Sequence, residues 1–117
     1  MYITLWIYIL QMINPLIEPF LPKILPLLKK HHIRSAFLFG SVVTNHFKDT
    51  SDVDILVNLN DGLDPVEAGG HLWDLTYELE TLLNRKIDLI YEGSLKNPYF
   101  INALNASKIL IYGSKIA

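Results

Sequence analysis

The period of apolar positions changes several times along this chain. Ile3, Leu5, Ile7 and Ile9 alternate with Tyr2, Thr4, Trp6 and Tyr8. A period of two puts each set on one face of a strand. Residues 1–13 are therefore expected to form an extra strand or a packed apolar arm. The alternative is an extended start, with translation beginning at Met12. Prolines follow at 15, 19, 22 and 26, and each removes a backbone donor. They delay a regular helix to about Pro22 or Pro26. That helix ends near His32, with Leu21, Ile24, Leu25 and Leu28 as its buried side.

Residues 33–39 read as a buried strand that Gly40-Ser41 ends abruptly. A short helix is expected over 41–47, then a loop to Ser51. A second strand spans 53–59, and Asn60-Asp61-Gly62 turns the chain. From Pro65 to Asn84 the period becomes helical, with Leu72, Leu75, Leu79, Leu82 and Leu83 as the apolar stripe. Gly69-Gly70 weakens its first part. Residues 86–91 form a third strand. Asn97-Pro98 caps a helix that runs to about Asn105, and 108–112 is a short apolar strand or helix extension. Strands alternating with helices predict an α/β (α+β) fold with a mixed sheet of about three to five strands. The expected division is an apolar N-terminal arm over 1–21 and a domain over 22–117.

Composition narrows the function classes. Half of the 117 residues are hydrophobic, enough for a packed core rather than disorder. The formal net charge is -2, without the basic face that direct nucleic-acid binding needs. Lys29 and Lys30 fit a helix C-terminus, where positive charge is favourable. The chain has no cysteine, which excludes disulfides, thiolate catalysis and Cys-type zinc sites. The apolar start has neither the positive beginning nor the small-residue cleavage site of a signal peptide. Asn14-Pro15 interrupts it before the roughly 20 apolar residues of a membrane span. A soluble, cytoplasmic protein is the expectation.

Three features carry chemistry. Gly40-Ser41 stands at a strand-to-helix junction. Glycine lets the backbone approach a ligand closely, a helix start offers free N–H groups to a phosphate, and Ser41 adds a hydroxyl. Read alone, the pair is a plain tight turn. Asp52-Val53-Asp54 opens the second strand, where residues i and i+2 share a face. Two carboxylates placed together repel unless a cation sits between them. Mg²⁺ takes a small number of carboxylates plus phosphate oxygens, so the pair reads as half of a metal site. An isolated Asp-x-Asp is more often a solvated strand start. Asp88 lies in an otherwise apolar strand, where a carboxylate is costly unless it faces a polar site. It either joins the Asp52–Asp54 cluster from a neighbouring strand or pairs with Lys86 or Arg85.

Gly40-Ser41, ten residues, Asp52-x-Asp54 and then a lone Asp88 on a later strand resemble the signature of the minimal nucleotidyltransferase (MNT) family. That family lies within the DNA polymerase β-like nucleotidyltransferase superfamily. The resemblance covers roughly residues 22–112. It implies that Gly40 and Ser41 hold the distal phosphates of ATP and that Asp52 and Asp54 bind Mg²⁺. Asp88 then completes a site for one or two ions and aids the nucleophile. Catalytic and metal-binding roles thus fall on Asp52, Asp54 and Asp88, and nucleotide binding on Gly40 and Ser41. Many relatives continue Gly-Ser-x-Ala-Arg-Gly. This chain continues Val42-Val43-Thr44-Asn45, so Thr44 stands at the arginine position and a fixed positive charge is missing.

Small members of the family resemble the antitoxin half of HEPN–MNT toxin–antitoxin pairs. The resemblance therefore implies Mg²⁺-dependent transfer of AMP from ATP to a tyrosine hydroxyl of a HEPN ribonuclease partner. Two alternatives follow: an antitoxin that neutralises its partner by contact alone, and a transferase acting on a small molecule or an RNA end. The exposed apolar arm suggests homo-oligomers, since an unpaired strand seeks an edge. Other residues are expected to be structural. Trp6 and Trp73 pack, and Tyr77, Tyr91 and Tyr99 lie in or near the core. His31, His32, His46 and His71 sit at the surface or at helix ends, and Glu78 and Glu80 form a solvated helix face.

Overall fold

A computed structural model describes residues 13–113 of the chain. The expected N-terminal strand or arm, with Trp6, falls outside the described residues, except that Ile13 is buried in the core. A short 3₁₀ turn over Glu18–Phe20 leads into helix α1 (Leu21–Lys30). The helix begins earlier than the prolines alone suggest. Pro22 sits in its first turn, where the missing N–H is unneeded, and Pro26 forfeits only one helical bond. Lys29 and Lys30 occupy the last turn, and His32, at φ 60, ends it in the left-handed region.

Strand β1 (Ile33–Phe39) and strand β2 (Val53–Leu59) have the bounds expected from their apolar runs. Helix α2 (Pro65–Leu83) starts at Asp64, whose side chain accepts the Glu67 N–H, and stops at left-handed Asn84. Strand β3 (Ile87–Tyr91), helix α3 (Pro98–Ser107) and strand β4 (Ile109–Tyr112) complete the order. Asn97 caps α3 by accepting from the Tyr99 and Phe100 N–H groups, as Asn-Pro predicts. Residues 41–47 differ from expectation. Only Gly40–Val43 coil, as a 3₁₀ turn, and Thr44 is already extended. Two adjacent β-branched valines disfavour continuation.

The four strands form one mixed sheet in the order β3-β2-β1-β4. β1 runs antiparallel to β2 and β4, whereas β3 runs parallel to β2. The parallel pair requires a crossover, and α2 supplies it. Alternation divides the sheet into two faces. Ala36, Leu38, Ile55, Val57, Ile87, Ile109 and Ile111 pack in one core cluster with Leu28 of α1 and Leu75 and Leu79 of α2. Leu75 and Leu79 are fully buried, and truncating either to Ala costs about 2–5 kcal/mol. The other face carries a smaller cluster of Phe37, Phe39 and Leu56 with Leu104 of α3. Asp54 and Asp88 share strand parity with Leu56 and Ile90. They therefore emerge on this thinly covered face.

Several side chains depart from their expected places. Trp73 is 79% exposed, Tyr77 68%, Tyr99 84% and Tyr91 41%. None of the four is a core residue. On α2 the leucine stripe fills the core, which leaves Trp73 and Tyr77 outside it on the flank that borders β3. His31 stands at the end of α1, as expected, and is buried there. Its Nε2 lies 3.2 Å from Glu78 Oε2 and its Nδ1 3.1 Å from His71 Nδ1. Glu78 also accepts from Lys30 Nζ at 2.9 Å, and Glu80 accepts the Ile87 N–H. Both glutamates thus tie elements together instead of facing only water.

Candidate active site

The site is built where three elements meet at one end of the sheet. β1 ends at Phe39, which pairs with Asp54 of β2. Asp54 in turn pairs with Asp88 of β3 in the parallel register. Phe39, Asp54 and Asp88 therefore form one row across three strands, and the turn at Gly40 caps it.

Gly40 is required by contact as well as by conformation. Its φ of +75 lies in the left-handed region, and a Cβ there would collide with the Asp54 carboxylate. The backbone is thereby pressed against the carboxylate with no side chain between them. Ser41 follows, and its carbonyl accepts both the Thr44 N–H at 2.9 Å and the Thr44 hydroxyl at 2.8 Å. Thr44 Oγ1 also accepts the His46 N–H at 3.1 Å. The Thr44 side chain is thus a brace for the turn. Because the turn is a short 3₁₀ segment, fewer N–H groups align here than the expected helix would offer.

Burial, then the Asp88 charge and a hydrogen bond shared with Asp88, then the Asp52 charge push the Asp54 carboxyl up to about 6, against a weaker opposing pull from Lys86. Asp52 lies just before β2 and its side chain is half-exposed, with Lys86 Nζ 4.0 Å from Oδ2. Arg85 turns away, donating to the Lys48 and Ser51 carbonyls and lying over the Phe47 ring. Neither Lys86 nor Arg85 forms a salt bridge with Asp88 among the described residues.

Gly40, Asp54 and Asp88 are thus brought together, and Asp52 stands beside them with its own counter-ion. Among the described residues no three His, Asp or Glu side chains converge into a closed metal cage. The Asp54–Asp88 pair nevertheless fits an open Mg²⁺ site. Two carboxylates forced together carry a repulsion that a cation relieves, and Mg²⁺ takes its remaining ligands from phosphate and water. Sequence reasoning missed Lys86 as the partner of Asp52 and the Thr44 hydroxyl as the brace of the turn. The first was signalled by a lysine two residues before Asp88. The second had no signal beyond the hydroxyl itself.

Comparison with known proteins gives the family of the chain. A Methanocaldococcus jannaschii protein named MJ0435, an inferred protein adenylyltransferase, is 40% identical over 73 residues, which cover 62% of this chain and 74% of that one. A second from the same organism, MJ0128, with the same inferred activity, is 32% identical over 83 residues, covering 71% and 81%. Among solved structures, a toxin–antitoxin complex with AMP-PNP matches with a TM-score of 0.65 at 25% identity, over 81% of this chain and 74% of that one. A complex of a tri-AMPylated Shewanella oneidensis HEPN toxin with its MNT antitoxin shares the fold, with a TM-score of 0.58 at 24% identity over 81% and 71%. No helix among the described residues is long and apolar enough to cross a membrane. Residues 22–116 match the polymerase beta nucleotidyltransferase family, and the chain belongs to it.

Proposed function

We propose that the chain transfers AMP from Mg²⁺-ATP to a tyrosine hydroxyl of a HEPN-type ribonuclease partner and so acts as its antitoxin. The observation that carries this reading is the Gly40 backbone bare against the Asp54 carboxylate, with Asp88 in register beside Asp54 on the adjacent strand. The structures it resembles support the choice of partner, since they are toxin–antitoxin complexes. The names of its relatives support the choice of group transferred.

Each residue has a part in this reading. Gly40 and Ser41 hold the distal phosphates. Asp54 and Asp88, with Asp52 at the margin, hold the divalent cation. A cation there offsets the carboxylate repulsion and draws charge from the triphosphate oxygens. Asp88 accepts the proton of the acceptor hydroxyl as its oxygen bonds to the α-phosphorus. The bond between the α-phosphorus and the bridging oxygen breaks, and pyrophosphate leaves. Positioning and charge neutralisation do most of the work.

Thr44 supports a second reading. Its hydroxyl is engaged with Ser41, and no guanidinium occupies that position. A weak or inactive transferase could then neutralise its partner by contact alone. One experiment separates the two. The chain is incubated with Mg²⁺, α-phosphate-labelled ATP and a HEPN ribonuclease, and both label on the ribonuclease and its RNA cleavage are measured. AMP transfer predicts label, silenced cleavage, and loss of both in Asp52→Asn/Asp54→Asn. Silenced cleavage without label, retained in the double variant, establishes the contact reading and overturns the first. Label on small hydroxyl compounds or RNA ends instead of the protein overturns the choice of acceptor.

A further inference from the structure

α2 presents a second face that the core does not use. Val66, Trp73 and Tyr77 stand on it at 84%, 79% and 68% exposure, and their spacing places them in one stripe along the helix. Between this stripe and β3 runs an open groove of about 380 Å³. Ile87 and Leu89 line it beside Trp73 and Tyr77, and Glu80 and Asp88 supply its charge. Among the described residues no lysine or arginine lines it. Among the described residues β3 is an edge strand, and the groove runs along it. Asp88 alone of the carboxylate pair lines it, at the strand edge where the two sheet faces meet.

The chemistry of the lining selects an occupant. Two aromatic side chains beside the Glu80 carboxylate complement a guanidinium or ammonium group. Such a group is attracted to the ring faces and makes charge-assisted hydrogen bonds to carboxylates. Glu80 Oε2 accepts the Ile87 N–H, and its other oxygen remains for a ligand. An extended peptide lying along the edge of β3 puts alternate side chains on the groove side. We infer that the groove docks a basic side chain of the acceptor polypeptide, anchored on Trp73 and Tyr77. That anchor positions a hydroxyl farther along the same segment at Asp88. The inference rests on the proposed transfer to a polypeptide and adds how the acceptor is selected.

The test has a binding arm and a kinetic arm. In the first, an end-blocked peptide carrying arginine three residues from tyrosine, so that the two point to opposite faces, in a Ser/Gly background is titrated into the full chain. The Trp73 indole N–H is followed by NMR and assigned with Trp73→Phe. The expected result is a saturable shift of that resonance, lost when the peptide arginine is replaced by glutamate. In the second arm, Trp73→Ala and Tyr77→Ala are compared with wild type in AMP transfer to the ribonuclease. The expected result is a rise in the acceptor KM of about tenfold, with ATP binding and thermal midpoint unchanged. Both side chains are exposed, so folding is not at stake. Equal shifts with the glutamate peptide, no shift with either, or a shift produced by ATP alone would each overturn the inference. So would an unchanged acceptor KM. Absence of any transfer by wild type counts against the proposed function, and the peptide arm then decides the groove independently.

Discussion

At the scale of single residues, Gly40 and Asp54 hold the site in opposite ways. Gly40 is needed because its backbone is left-handed and because any Cβ meets the Asp54 carboxylate. Gly40→Ala is therefore expected to cost about 1–3 kcal/mol and to displace Asp54, lowering Mg²⁺-ATP affinity in calorimetry. Asp54 is a stability cost in the metal-free protein. Its folded pKa of about 6 lies above the ordinary 3.8, so folding favours the protonated form. The resulting penalty is absent below pH 3.8, grows as pH rises, and is complete above about 6. Asp54→Asn is expected to stabilise the metal-free protein at pH 7.5 by about 1 kcal/mol, after discounting for solvent screening, with little gain at pH 4. Urea unfolding at the two pH values measures this. Addition of Mg²⁺ should raise the wild-type midpoint and leave the variant unmoved.

At the scale of elements, α1 and α2 are joined by more than leucines. Lys30, His31, His71 and Glu78 form a polar tie across them. The Lys30 hydrogen bond, opposed by burial and reinforced by His31, holds the Glu78 carboxyl below its usual range. A depressed carboxyl contributes stability above its unfolded pKa and loses it as pH falls through the folded value. Glu78→Gln is expected to lower stability at pH 7 by no more than about 1 kcal/mol, since the tie is partly solvated. It should also flatten the decline between pH 5 and pH 3, which thermal unfolding across that range checks. This tie was not legible in the chain. His31 and Glu78 are 47 positions apart, and no local period brings them together. The apolar elements were legible because one period governs each. The α2 aromatics were misread for want of the same arithmetic. At about 100° per residue, Trp73 and Tyr77 lie about 160° from Leu75, on the side away from the core.

At the scale of the whole molecule, the sheet converts three distant sequence positions into one row. Strand bounds for β1 and β2 and the turn at Gly40 could be read from residues. The pairing of Asp54 with Asp88 could only be conditional, because strand order depends on how α2 crosses the sheet. The spacing of Gly-Ser and Asp-x-Asp supplied the family, and the fold supplied the register. The distribution of charge became legible only at this scale. Lys86 lies next to Asp52, and the groove that reaches Asp88 has acidic side chains without basic ones.

The sheet order has a kinetic meaning as well. Among the described residues Asp54 belongs to an interior strand, flanked on both sides, whereas Asp88 rides on the outermost one. Amide protons of β3 should therefore exchange with solvent through small openings that leave β1 and β2 closed. Each such opening separates the two carboxylates while the core stays intact. Nucleotide binding should then fade at denaturant concentrations below those that unfold the protein, and deuterium uptake over residues 87–91 should follow the loss. A partner strand laid along β3 would close that route, so the acceptor itself would steady the site that modifies it.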